Sequence, residues 1–161
     1  MTAKRFTVTV EVVPPAGCDV QPLLTRLQPL AGLAFDAFSV ATNPVAKPRM
    51  SALALCALLQ QQIGKPAILH CTTRDHNRLS LQGLLWGARA LGIDTVLAAT
   101  GDFVALQDRA SISSVCDVDV YGLVRMARAA GLRTGVVLDS HPASDGRRQA
   151  VRRLARKVEA L

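Results

Sequence analysis

Aromatic residues are scarce in this 161-residue chain, at 4%, although half of it is hydrophobic. Its core must therefore be built from Leu, Val and Ala, as is common in helix-covered parallel sheets. Long apolar runs are absent too. None approaches the roughly 18 residues of a membrane span. The N-terminal MTAKRFTVTVEVVPP lacks the apolar block and small-residue cleavage site of a signal peptide. A cytoplasmic protein with no membrane association is the expectation. No Walker loop is present and no GxGxxG follows the first strand. Phosphate binding of the usual nucleotide-fold kind is thus unsupported. Cysteines are few and far apart, at Cys18, Cys56, Cys71 and Cys116. That spacing matches no zinc pattern, and reduced, partly buried thiols with no metal are expected.

What is there begins with length, which suffices for one domain with a real core. The formal net charge of +7 is unevenly placed. Residues 1–119 hold 10 basic and 9 acidic residues, a net +1; residues 120–161 hold 9 and 3, a net +6. The density peaks in GRRQAVRRLARKVEAL. No aromatics interleave with these arginines and no nucleic-acid module is visible, so no nucleic-acid partner is expected. A solvated helix face that also touches an anionic cofactor is the preferred reading.

Residues 6–13, FTVTVEVV, alternate with the period of a strand, and Pro14-Pro15 end it. A helix follows over residues 19–30, with Asp19 as its cap. The pattern continues as strand 35–41, helix 51–63, strand 66–71, helix 78–91, strand 94–99, helix 120–130, strand 134–138 and helix 144–161. The order is β-α five times over, which implies a parallel sheet with right-handed crossovers. Two architectures compete: an open doubly wound sheet and part of a (β/α)8 barrel. A complete barrel usually needs about 250 residues.

Ligands of parallel α/β folds bind where the strands end, and all five strand ends here carry polar groups. Glu11 is the odd residue of the first strand. Buried, it would be a usable general acid; on an edge strand, it would simply point outward. Thr42 and Asn43 follow the second strand. His70 closes the third, followed by Arg74, Asp75, His76, Asn77 and Arg78, of which Asp75 or Asn77 could cap the next helix. Thr100-Gly101-Asp102 ends the fourth strand. His141-Pro142 follows the fifth.

In this order and spacing, these residues resemble the methylenetetrahydrofolate reductase family, whose members are FAD-binding (β/α)8 barrels. The resemblance spans essentially the whole chain. VEVVPP matches the family's first-strand glutamate and Pro-Pro. SVATNPVAKPRMS matches its V-x-T-x-N and R-M-S segments. HCTTRDHNR and ATGD match H-x-T-x-R-D-x-N and T-G-D. CDVDVYG, SHP and RKVEA match later segments.

The resemblance implies a flavin that takes hydride from NAD(P)H and passes it to 5,10-methylenetetrahydrofolate, giving 5-methyltetrahydrofolate. Glu11 would be the general acid that helps open the folate ring to an iminium. Asp102 would tune the flavin and stabilise the cationic folate. Thr42, His70, Thr100, Gly101, Asp102, Asp117, Asp119, Val120, Tyr121, His141, Arg156 and Lys157 would line the FAD. Of these, Arg156 and Lys157 would face its phosphates.

Three positions depart from the pattern: Phe103 stands where proline is common, Val120 where serine is, and Asp139 where the family has glutamate. Family barrels also continue with a sixth strand soon after the equivalent of Ala160. Residues 1–161 are therefore expected to form one partial barrel domain of about five β/α units. Its open edge would be covered by a second copy or a partner chain. On that expectation, the folate and nicotinamide sites are incomplete and activity is impaired. The alternative is a non-catalytic FAD-binding or subunit-interaction module derived from the family. A third reading is an unrelated binding protein with an open five-stranded sheet.

Overall fold

A computed structural model describes residues 6–137 and 146–161. Five parallel strands alternate with five α-helices: β1 (Thr9–Val12), α1 (Gln21–Leu27), β2 (Ala37–Val40), α2 (Ala52–Ile63), β3 (Ala67–Thr72), α3 (Arg78–Ala90), β4 (Thr95–Ala99), α4 (Val120–Ala129), β5 (Arg133–Val136) and α5 (Gly146–Ala160). Short 3-10 turns lie at Gln28–Gly32, Pro44–Ala46 and Leu106–Asp108. The first strand is shorter than FTVTVEVV suggests, because residues 6–8 have no strand partner in the sheet; Val8 N instead donates to the Asp36 carboxylate at 2.7 Å. Val20, not Asp19, is the N-cap of α1, and Asp19 accepts from Gln21 N at 3.2 Å.

The strand order is β1-β2-β3-β4-β5. A doubly wound sheet needs a reversal of order, so that its helices fall on both faces. Here the order never reverses, and the large apolar side chains of the described core pack on the helix-covered face, with only the small Ala37, Ser39 and Thr72 buried on the other. That is the barrel arrangement, and it decides between the two architectures. The register assigns each side chain to a face, since neighbours in register point the same way. Phe38, Val40, Leu69, Cys71, Val96 and Ala98 face the helices and are fully or nearly buried. They pack with Leu55, Leu59, Leu81, Leu85, Leu123 and Val124 from α2, α3 and α4.

The opposite, inner face carries Glu11, Ser39, Ile68, His70, Leu97 and Gly135. Ile68, His70 and Leu97 there are only half-buried. Polar residues at this end of the molecule are therefore not core residues that failed to be apolar. They belong to a face that the helices leave uncovered.

Helix boundaries follow local chemistry. Ser51 accepts from Ala54 N at 3.4 Å, Asn77 from Ser80 N at 2.8 Å and Asp119 from Gly122 N at 2.7 Å. Asn77 is thus the cap of α3, leaving Asp75 for another task. α2 ends at Gly64, whose φ of +75° is left-handed backbone that a side chain would strain.

Candidate functional site

The loops after β2, β3 and β4 meet at Arg74. Its side chain is only 3% exposed. Nε donates to Asp75 Oδ1 at 2.5 Å and Nη2 to Asp75 Oδ2 at 2.7 Å. Nη2 also donates to the carbonyl of Asn43 at 3.0 Å, and Nη1 to the carbonyl of Asp102 at 3.0 Å. One guanidinium thereby holds its own loop, the β2 loop and the β4 loop. Asn43 Nδ2 reinforces the cluster by donating to Asp75 at 3.0 Å. Burial pushes the Asp75 carboxyl up, but the bonds from Arg74 and Asn43 outweigh it and hold it below its usual value. The bond to Asp75 raises Arg74 in turn.

Gly101 lies against this hub. A Cβ there would come 3.0 Å from Arg74 Cβ and 3.3 Å from Thr72 Cβ, at a φ of +89°. The neighbouring Asp102 carboxylate accepts from Val45 N at 2.6 Å. That bond fixes a loop in which Asn43, Val45 and Ala46 all have positive φ, a conformation costly for residues with a Cβ. Lys47 pairs with Asp108 at 2.6 Å and ties the same loop to the segment after β4. The longer β4–α4 connection is anchored by Val115 N on the carbonyl of Arg74 and Cys116 N on that of Thr73.

A second group lies on the inner face. Ser39 Oγ and His70 Nε2 are 2.6 Å apart. Thr42 Oγ1 donates to the carbonyl of His70 at 2.5 Å. Glu11 sits beside Ser39 in register and is exposed. Burial lowers the His70 pKa from 6.5, and the Glu11 charge opposes that shift. The exposure of Glu11 on edge strand β1 agrees with an outward-pointing residue, yet the face it points from is the one bearing His70.

A cleft of about 670 Å³ opens at the C-terminal ends of β3, β4 and β5. Its walls are mostly apolar or aromatic: Phe103, Val118, Val120, Tyr121, Val137 and Leu154. Phe103 is 95% exposed at its mouth. Its charged lining residues are Arg74, whose guanidinium is already engaged, and Asp102, Asp119, Arg153 and Lys157. Lys157 Nζ donates to the carbonyl of Val137 at 2.7 Å; burial, then the nearby Arg153 charge, lowers its pKa.

The cleft gathers Thr100, Gly101, Asp102, Asp119, Val120, Tyr121 and Lys157 from the residues expected by sequence. It does not include Glu11, Thr42 or His70, which belong to the inner-face group. Asp117 accepts from Arg78 N at 3.3 Å, beside the start of α3. Arg156 stacks on the Tyr121 ring at 4.7 Å and lines a second cleft between α4 and α5 with Arg125 and Arg128. The α5 cation that accompanies Lys157 in the larger cleft is Arg153, not Arg156, four residues earlier and so on the same side of the helix. His141 and Asp139 lie outside the described residues. Read in sequence, Arg74 is one polar residue among five in its loop, and Ser39 is an unremarked strand residue. The adjacent Asp75 is Arg74's one local partner; its other acceptors, and the His70 that meets Ser39, are 28–31 residues away.

The donor set suits a flat aromatic group with an anionic tail. Apolar and aromatic walls would flank the ring, and the α5 cations would meet the negative charge. Residues 1–160 match the family described as methylenetetrahydrofolate reductase. No curated protein sequence matches the chain. Among solved structures it is similar to 2,3-dimethylmalate lyase, described as a member of the PEP mutase/isocitrate lyase superfamily, at 14% identity and a TM-score of 0.50. That likeness concerns the barrel fold alone. It covers 92% of this chain and 54% of the lyase, so the chain spans about half of that protein's length.

Proposed function

We propose, from the premise that the chain belongs to the methylenetetrahydrofolate reductase family, that its cleft holds FAD for the reduction of 5,10-methylenetetrahydrofolate by NAD(P)H. Family membership supports reductase-type chemistry. The observation that carries it is the convergence of Gly101, Asp102, Tyr121, Arg153 and Lys157 on one apolar cleft at the strand ends.

When bound, the flavin would accept hydride from the nicotinamide and deliver it to the folate. Phe103, Val120 and Leu154 would exclude water from its ring. Lys157 and Arg153 would meet its phosphates. Asp102 would lend negative charge where the folate becomes cationic, a contribution that a fixed carboxylate makes without reorganisation. By the family resemblance Glu11 would supply the proton that opens the folate ring; because it is exposed here, the folate bound over the inner face would have to desolvate it for that role. Its exposure leaves it accessible to a substrate entering on that face.

The test is spectroscopic. Purified protein is titrated with FAD, then NADH or NADPH is added without oxygen, then methylenetetrahydrofolate. Saturable flavin binding, bleaching by the nicotinamide and recovery of colour on folate addition are expected. Failure to bind FAD would sink the proposal. Binding without bleaching or recovery would favour the non-catalytic flavin module.

A further inference from the structure

We propose that Arg74 is the positioning residue of this site: a buried cation that sets where the Asp102 carboxylate and the loop after β2 stand, without itself taking part in chemistry. The geometry stands on its own; its consequence for the cofactor rests on the flavin reading above.

Three observations converge. First, Arg74 is nearly inaccessible, yet its side chain makes four hydrogen bonds to three separate loops. A guanidinium has five N–H donors in a rigid plane, so it can fix several acceptors at once. A lysine ammonium cannot reproduce that fork. Second, while the Asp75 carboxylate anchors the guanidinium, its other two acceptors are the backbone carbonyls of Asn43 and Asp102. Holding the carbonyl of Asp102 orients the residue whose carboxylate reaches Val45 N, and holding the carbonyl of Asn43 fixes the other end of that loop. Third, the loop held this way is left-handed at Asn43, Val45 and Ala46. Such backbone persists only where its surroundings over-determine it. Arg74 and Asp102 provide two restraints, and Asp102 depends on Arg74 for its own position.

Arg74 would therefore act on the cofactor through Asp102. Loosening Arg74 should release the Asp102–Val45 bond while leaving the helices intact.

The experiment is amide hydrogen exchange on the cofactor-free protein, comparing wild type, Arg74→Lys, Asp102→Ala and the double variant. Asp102→Ala removes the acceptor and should speed exchange at Val45. Arg74→Lys should speed it by roughly tenfold or more, the size expected when a hydrogen bond to a charged group is lost. In the Asp102→Ala background Arg74→Lys should add little. The amides of Leu85 in α3 and Leu123 in α4 should keep their rates. Unchanged Val45 exchange in Arg74→Lys would overturn the proposal. So would acceleration of Val45, Leu85 and Leu123 together, which marks a merely structural role. If Arg74→Lys does not fold, Asp75→Asn decides, since it keeps the shape but removes the charge that anchors the guanidinium; it too must release Val45 selectively. The consequence is read separately as FAD affinity, expected to fall about tenfold in Arg74→Lys. If wild type binds no FAD, the flavin reading fails and the exchange result still judges Arg74.

Discussion

Replacing Gly101 by alanine perturbs the site at one atom, and its cost can be worked out against an internal control. Gly64 and Gly101 both have positive φ, +75° and +89°. A Cβ on Gly64 meets nothing within 4 Å, whereas one on Gly101 meets Arg74 Cβ at 3.0 Å and Thr72 Cβ at 3.3 Å. Gly64→Ala should therefore cost only the conformational penalty, about 1–2 kcal/mol. Gly101→Ala adds an overpacking penalty of about 1–3 kcal/mol, because both neighbours are buried and cannot swing aside. The pair should differ by about 1–3 kcal/mol, and each kcal/mol is worth about 2–4 °C in Tm for a domain of this size. Urea unfolding of wild type and both variants measures the difference directly. If Gly101→Ala is no more costly than Gly64→Ala, the packing of Gly101 on the Arg74 hub is wrong, and the account of the site built on it fails with it.

Further predictions address the thiols, the inner face and the cleft mouth. Burial pushes the Cys56 and Cys71 thiols up to about 12, while Cys18 and Cys116 are exposed. Native protein should thus react with a disulfide reagent only at Cys18 and Cys116, and FAD should slow Cys116, which lines the cleft; rapid modification of Cys56 or Cys71 would contradict the core. His70 has a pKa below 6.5 in the folded chain. The unfolded chain therefore takes up its proton first, so this contribution to stability is complete above 6.5 and declines as pH falls from there to the folded value. His70→Asn should flatten that part of the urea-midpoint profile, and an unchanged profile would refute the assignment. Phe103→Ala should change stability by less than about 0.5 kcal/mol, since the ring is 95% exposed. It should nevertheless weaken FAD binding, and calorimetric titration with equal affinity for both proteins would remove Phe103 from the site.

Much of this was legible in one dimension because it is local. Strand and helix periods gave the five β-α units. Asn77, one of the two caps offered for α3, acts within three residues of itself. Polar residues at strand ends announced the rim, and the ordered motifs pointed to a family that residues 1–160 do match. Alternation runs on through Phe6 to Val8, but the ladder begins at Thr9, and Val8 is held by Asp36 instead.

Tertiary structure decided what depends on distant partners. Periodicity says that a face is apolar but not which neighbours cover it, so only the unreversed strand order separated the barrel from a doubly wound sheet. Sequence placed Asp102 at a strand end; the fold engaged it with Val45. It placed Arg153, Arg156 and Lys157 on one basic helix; the helical turn sent Arg156 onto Tyr121 and the other two into the cleft. Residue types can be read along a chain, and so can the Arg74–Asp75 neighbour pair, but Asn43, Asp102 and Ser39 reach Arg74 and His70 from loops and strands 28–31 residues away, brought together only by the sheet.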